Sequence, residues 1–106
     1  MSEEEALLVL VTCPPEAAEG LARALVEQRL AACVNRIDGL RSVYRWRDAV
    51  ESAEESLLLA KTTRARYAQL EAAVRARHPY ELPEIVAVSL SCGLPAYLQW
   101  LAQSTR

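Results

Sequence analysis

Three segments of this chain are apolar with too little alternation for a strand that has one wet face: Leu7-Leu8-Val9-Leu10-Val11, Leu57-Leu58-Leu59, and Ile85 to Leu90 with Ile85, Val86, Val88 and Leu90. A half-exposed strand alternates apolar and polar residues, whereas a continuous apolar run must be covered on both faces. Breakers bound the first and last runs, with Pro14-Pro15 after the first and Gly93 after the last. Whatever this chain folds into, it has to seal both sides of a sheet.

The covering elements are few. From Glu16 to Arg29, Ala18, Leu21, Ala22 and Leu25 form one stripe, with Glu16, Glu19, Arg23 and Glu27 opposite. From Arg64 to Arg77, Tyr67, Leu70 and Val74 form another. Both segments are amphipathic helices. Leu30 to Trp46 is strand-like, interrupted at Asp38-Gly39. Arg47-Asp48-Ala49 is the expected turn, and Val50 to Lys61 returns, polar at first and apolar at its end. Together they form a long hairpin with a charged tip. Pro95 opens a short last helix containing Tyr97, Leu98, Trp100 and Leu101.

The order is β-α-β-β-α-β followed by a helix. This is the split βαβ arrangement, an α+β ferredoxin-like sandwich, and at 106 residues it occupies one domain, residues 1–106. Right-handed crossovers place the two main helices on the same face of the sheet. The last helix is too short to cover the other face. That face therefore calls for a second copy of the chain, and the expected state is a homo-oligomer.

Charge and composition exclude several classes. The net charge of -2 gives no basic face for nucleic acid. Arg64, Arg66, Arg75 and Arg77 fall at helical spacing and read as a solvated face. No apolar run approaches the ~18 residues of a membrane span. Ser2-Glu3-Glu4-Glu5 is acidic where a signal peptide is basic, so the expected location is the cytoplasm. The three cysteines, at 13, 33 and 92, form no C-x-x-C pair, which argues against a disulfide framework or a zinc knuckle. No Walker loop, G-x-G-x-x-G, H-E-x-x-H or G-x-S-x-G is present. A Cys–His pair without an evident third orienting residue gives little basis for catalysis, and the expectation is a protein that is not an enzyme.

His78-Pro79-Tyr80-Glu81-Leu82-Pro83-Glu84 contains the single histidine. It has two readings. A histidine at a helix C-terminus caps loose carbonyls and gains from the dipole. The same histidine, stiffened by two prolines and flanked by a tyrosine and carboxylates, also suits a binding site. Lys61 ends an apolar strand, and by chain order Lys61, Tyr80 and Glu84 are candidates for a polar cleft between protomers.

Several pieces in order carry a resemblance: Val11-Thr12-Cys13-Pro14, Arg29-Leu30-Ala31-Ala32-Cys33-Val34-Asn35, Ser42-Val43-Tyr44-Arg45-Trp46, Lys61-Thr62, His78-Pro79-Tyr80, Pro83-Glu84-Ile85 and Tyr97-Leu98-Gln99-Trp100-Leu101. Nearly the whole chain resembles the CutA divalent-cation tolerance family. The resemblance implies a homotrimer whose long hairpins wrap around neighbours and extend their sheets, in a fold shared with the PII signalling proteins. It implies no obligatory cofactor, but a link to copper or another divalent metal ion. Cys33 and His78 match the family's metal-ligand positions, and thiolate with imidazole suits copper or zinc. Cys13 is a tentative third ligand, because its counterpart in metal-binding relatives lies one position earlier, where this chain has Thr12. Relatives usually carry a glycine at the hairpin tip, where this chain has Arg47-Asp48. Two other functions compete with metal binding: a PII-like small-molecule sensor and a scaffold trimer that presents its surfaces to partners.

Overall fold

The computed structural model describes residues 2–106. Its elements are β1 (Ala6–Cys13), α1 (Pro15–Glu27), β2 (Cys33–Trp46), β3 (Ala49–Thr63), α2 (Arg64–Arg77), β4 (Ile85–Ser89) and α3 (Pro95–Ser104). The strands form one antiparallel sheet in the order β2-β3-β1-β4. This is the ferredoxin-like sandwich expected from the element order.

Register decides what each face carries. Val9 pairs with Ala60 and Ala87, and Val11 with Leu58 and Ile85. Side chains of directly paired residues share a face. Val9, Val11, Leu58 and Ala60 are all 0% exposed and join Leu21, Leu25, Leu70 and Val74 of α1 and α2 in one core cluster. Burying each Leu or Val contributes about 1.5–3 kcal/mol, so this face supplies most of the protomer's stability. The alternate residues turn the other way. Leu10 pairs with Leu59 and Val86, and Leu8 with Lys61 and Val88. On this second face Val86, Val88 and, from β2, Ile37 are 50–53% exposed.

The third helix departs from expectation in one respect. Short as it is, α3 packs against β3 and β1, and Leu101 is fully buried outside the main core cluster. Its Tyr97 lies beside Cys33, a second-face residue paired with Lys61. Thus α3 covers one end of the second face and leaves the rest bare.

The hairpin is as long as anticipated. Strands β2 and β3 have 14 and 15 residues, and β1 pairs with β3 only from Ser56 to Thr63. Among the described residues, 49–55 of β3 pair with β2 alone, so this part is a free arm. Where the sequence suggests a break at Asp38-Gly39, the strand continues through a register shift between Ile37 and Leu40, with Gly39 at φ 82°. Glycine takes this left-handed conformation without a Cβ clash. Arg47 and Asp48 form a two-residue tip, both with positive φ (49° and 68°). That is the primed-turn geometry matching strand twist, here built without glycine.

Candidate functional site around the His78 turn

His78 leaves the helix because Pro79 follows it, and its backbone N–H caps the Val74 carbonyl at 2.8 Å. Its ring is 8% exposed and engaged on both sides. The Tyr80 N–H donates to Nδ1 at 3.1 Å, so Nδ1 is the acceptor. Nε2 therefore carries the proton and donates to the Thr12 carbonyl at 2.8 Å. The two rings, His78 and Tyr80, lie 4.7 Å apart. The Thr12 hydroxyl donates to Glu84 Oε1 at 3.5 Å, which ties the far side of the turn to the end of β1.

The arm closes over this turn. Burial pushes the Tyr80 phenol up to about 12, helped by the nearby Glu55 carboxylate and by the neighbouring Tyr44 and Cys13. Glu55 is 5% exposed, a carboxylate enclosed at the base of the arm. Near the tip, Arg47 Nη2 donates to Glu81 Oε2 at 3.3 Å and its guanidinium lies 5.2 Å from the Trp46 ring centre.

A second polar cluster lies elsewhere. Lys61 Nζ contacts Asn35 Oδ1 and sits 3.9 Å from Cys33 Sγ. Lys61 makes no ion pair with a carboxylate among the described residues. Lys61 pairs with Leu8, four residues before Thr12 on β1. At ~3.3 Å per residue the two clusters are about 13 Å apart along the sheet. One protomer therefore does not bring Cys33 to His78, nor Lys61 to Tyr80 and Glu84.

Cys13 is separated in another way. It is 0% exposed on the helix-covered face, pairing with Ser56, whereas Thr12 points to the opposite face. Burial pushes its thiol up, so it stays protonated at neutral pH. Among the described residues no group of three His, Cys, Asp or Glu side chains is placed to hold a metal ion. With both His78 nitrogens engaged, the residues of one protomer do not fit a closed metal site. Glu55 and the Thr12 hydroxyl were not singled out by sequence reasoning. Glu55 is one of several acidic residues along β3, and only the register sets it inward.

This fold and turn can be compared with known proteins. Residues 7–104 match the family model described as CutA1 divalent ion tolerance protein. The chain belongs to the CutA1 family. It is 50% identical over 99 residues to the divalent-cation tolerance protein CutA of Thermus thermophilus, covering 92% of this chain and 96% of that one. It is 43% identical over 101 residues to the chloroplastic protein CutA of Arabidopsis thaliana, covering 94% of this chain and 56% of that one. The chain thus spans little more than half the length of this plant relative. Among solved structures, CutA from Xylella fastidiosa superposes with a TM-score of 0.94 at 41% identity, covering 96% of this chain and 99% of that one. The PII-like protein CutA from a Nostoc species gives 0.89 at 33% identity, covering 94% and 97%. No helix among the described residues is long and apolar enough to cross a membrane.

Proposed function

We infer that this CutA1-family chain acts as a cytoplasmic, non-catalytic homotrimer in which the second faces of three sheets pack together. The observation that carries this reading is the half-exposed row Ile37, Val86 and Val88 beside Leu8, Leu10 and Leu59. An apolar sheet face of this extent is costly in water and is sealed by a copy of itself. The neighbours' long arms then extend one another's sheets.

The functional cleft in this reading spans a subunit boundary. Cys33 and Lys61 of one protomer come close to His78, Tyr80 and Glu84 only by crossing to a neighbour, which supplies the donors that a single chain lacks. A divalent metal ion, copper first, is the proposed ligand, in keeping with the tolerance named for the family. His78 joins such a site only by giving up one of its two hydrogen bonds. Titration of copper or zinc, followed calorimetrically, tests this with Cys33→Ser and His78→Ala. Each variant is expected to weaken binding at least tenfold. Isotherms indistinguishable from the parent chain would remove both residues from the role.

A second reading, a PII-like small-molecule sensor, is favoured by Lys61. A cation at the edge of an apolar face without a carboxylate partner is suited to an anionic ligand or a neighbour's carboxylate. A thermal-shift screen with nucleotides and small anions separates the readings. A rise in Tm with an anion that disappears in Lys61→Met favours the sensor.

A further inference from the structure

The free arm begins where two changes of pairing coincide. Cys13 with Ser56 is the last pair between β1 and β3, and beyond it β3 has only β2 beside it among the described residues. At the same level β2 carries one residue more than β3. Ile37 pairs with Leu57 and Leu40 with Glu55, so Asp38 and Gly39 together stand opposite Ser56. That is a β-bulge, which bends a strand and increases its twist, and Gly39 at φ 82° supplies its left-handed residue. Side chains grip this bulge. Ser56, 0% exposed, donates from its hydroxyl to Asp38 Oδ1 at 2.6 Å. Arg36 Nε donates to the same oxygen at 2.7 Å. Arg36 Nη2 donates to the Pro15 carbonyl at 3.1 Å, and Nη1 lies 3.9 Å from Glu19 Oε1. The bulged segment of β2 is thus tied both to β3 and to the N-terminal end of α1.

We propose that Asp38, gripped by Ser56 and Arg36, is the lock of a hinge: it fixes the direction in which the arm leaves its own protomer, and so presents the arm already set to a second copy of the chain. This rests on the oligomeric reading above. A two-stranded ribbon without a third strand is marginally stable. The bulge interrupts the ladder at the base of the arm, so side chains take over part of holding the angle there. Ordering the arm on association lowers affinity, and ordering it beforehand removes that cost. Val43 and Val50, 72% and 67% exposed on the arm, are the apolar side chains so aimed. The contacts are unequal. The Arg36–Glu19 pair at 3.9 Å, and the Arg47–Glu81 pair at the tip with both side chains 74% exposed, compete with water and contribute little. The Ser56 hydroxyl is out of water, and without Asp38 it loses its partner. The Ser56–Asp38 bond therefore carries the lock.

The test uses the full chain and its Asp38→Ala variant, mixing isotopically light and heavy pools and following subunit exchange by native mass spectrometry. Asp38→Ala is expected to exchange about tenfold faster, the effect of leaving one buried donor unpaired. Amide hydrogen exchange is expected to accelerate across residues 40–52 and to stay unchanged at Val9, Val11 and Leu58. Asp38→Asn keeps an acceptor oxygen for Ser56, and its subunit exchange is expected to lie nearer the parent than Asp38→Ala. In a Ser56→Ala background, Asp38→Ala is expected to accelerate exchange less than it does in the parent, because the two residues share one bond. If Asp38→Ala fails to fold, Ser56→Ala takes its place, with the same change expected in the arm amides. An oligomer whose exchange stays within about twofold of the parent, less than one such bond is worth, overturns the lock alone. Amide exchange that accelerates as much in β1 and α1 as in the arm also overturns it, since that is a general loss of stability. A monomeric parent chain overturns the oligomeric reading and the lock's part in assembly together.

Discussion

The two faces of this sheet are built from the same three apolar runs and end in opposite states. On the helix-covered face Val9, Val11, Leu58 and Ala60 are wholly buried. On the other face Val86 and Val88 of the last run are half exposed, as is Ile37 of β2. Composition does not separate them; neighbours do. Two amphipathic helices reach the first face and one short helix reaches the end of the second. In the proposed oligomer, the fold of one protomer and the assembly of several are thus encoded by alternate residues of the same strands, and each can be broken separately.

The sharpest way to break the comparison is to damage one face at a time. Val86→Asp places a charge in the proposed contact and is expected to abolish the oligomer while leaving the protomer's circular dichroism intact. Leu58→Ala opens a cavity on the sealed face and is expected to lose about 2–5 kcal/mol of unfolding stability while the surviving folded fraction still assembles. Chemical denaturation and light scattering on the two variants check both halves. A folded Val86→Asp oligomer would erase the distinction between the faces.

The junction between sealed sheet and free arm gives a smaller, pH-dependent effect. There Ser56 donates to Asp38 Oδ1 at 2.6 Å and Arg36 to the same oxygen at 2.7 Å, holding the Asp38 carboxyl below its usual range, with the Ser56 bond the larger cause. A carboxyl with a lowered folded-state pKa stabilises above its ordinary value and loses that contribution as pH falls through the folded one. Arm amides are therefore expected to lose protection below pH about 4, the ordinary aspartate range, and Asp38→Asn to show less of that pH dependence. Identical profiles for parent and variant would remove Asp38 from the junction. The smallest effect belongs to the tip. Asp48 adopts a left-handed conformation that glycine takes without strain, so Asp48→Gly is expected to raise stability by up to ~1 kcal/mol in thermal melts.

Much of this was legible in the residues. Unalternating runs such as Leu7 to Val11 required two covered faces, and element order then dictated the sandwich. The spare face followed from counting helices. What escaped was set by register and length. That α3 folds back onto β3 and β1 to bury Leu101 depends on where the chain turns after Gly93. Glu55 is one carboxylate among several until the register of β3 with β1 sets its side. Cys33 and His78, paired by resemblance, lie at opposite ends of β1's register, a distance no local pattern carries.

In the proposed assembly the second face is a contact between copies of the chain. Native mass spectrometry of the untagged chain at micromolar concentration tests it most directly. A single species of three chain masses is expected, falling to one chain mass in Val86→Asp. A parent chain that is monomeric at that concentration, with Val86 and Val88 left in water, would contradict it.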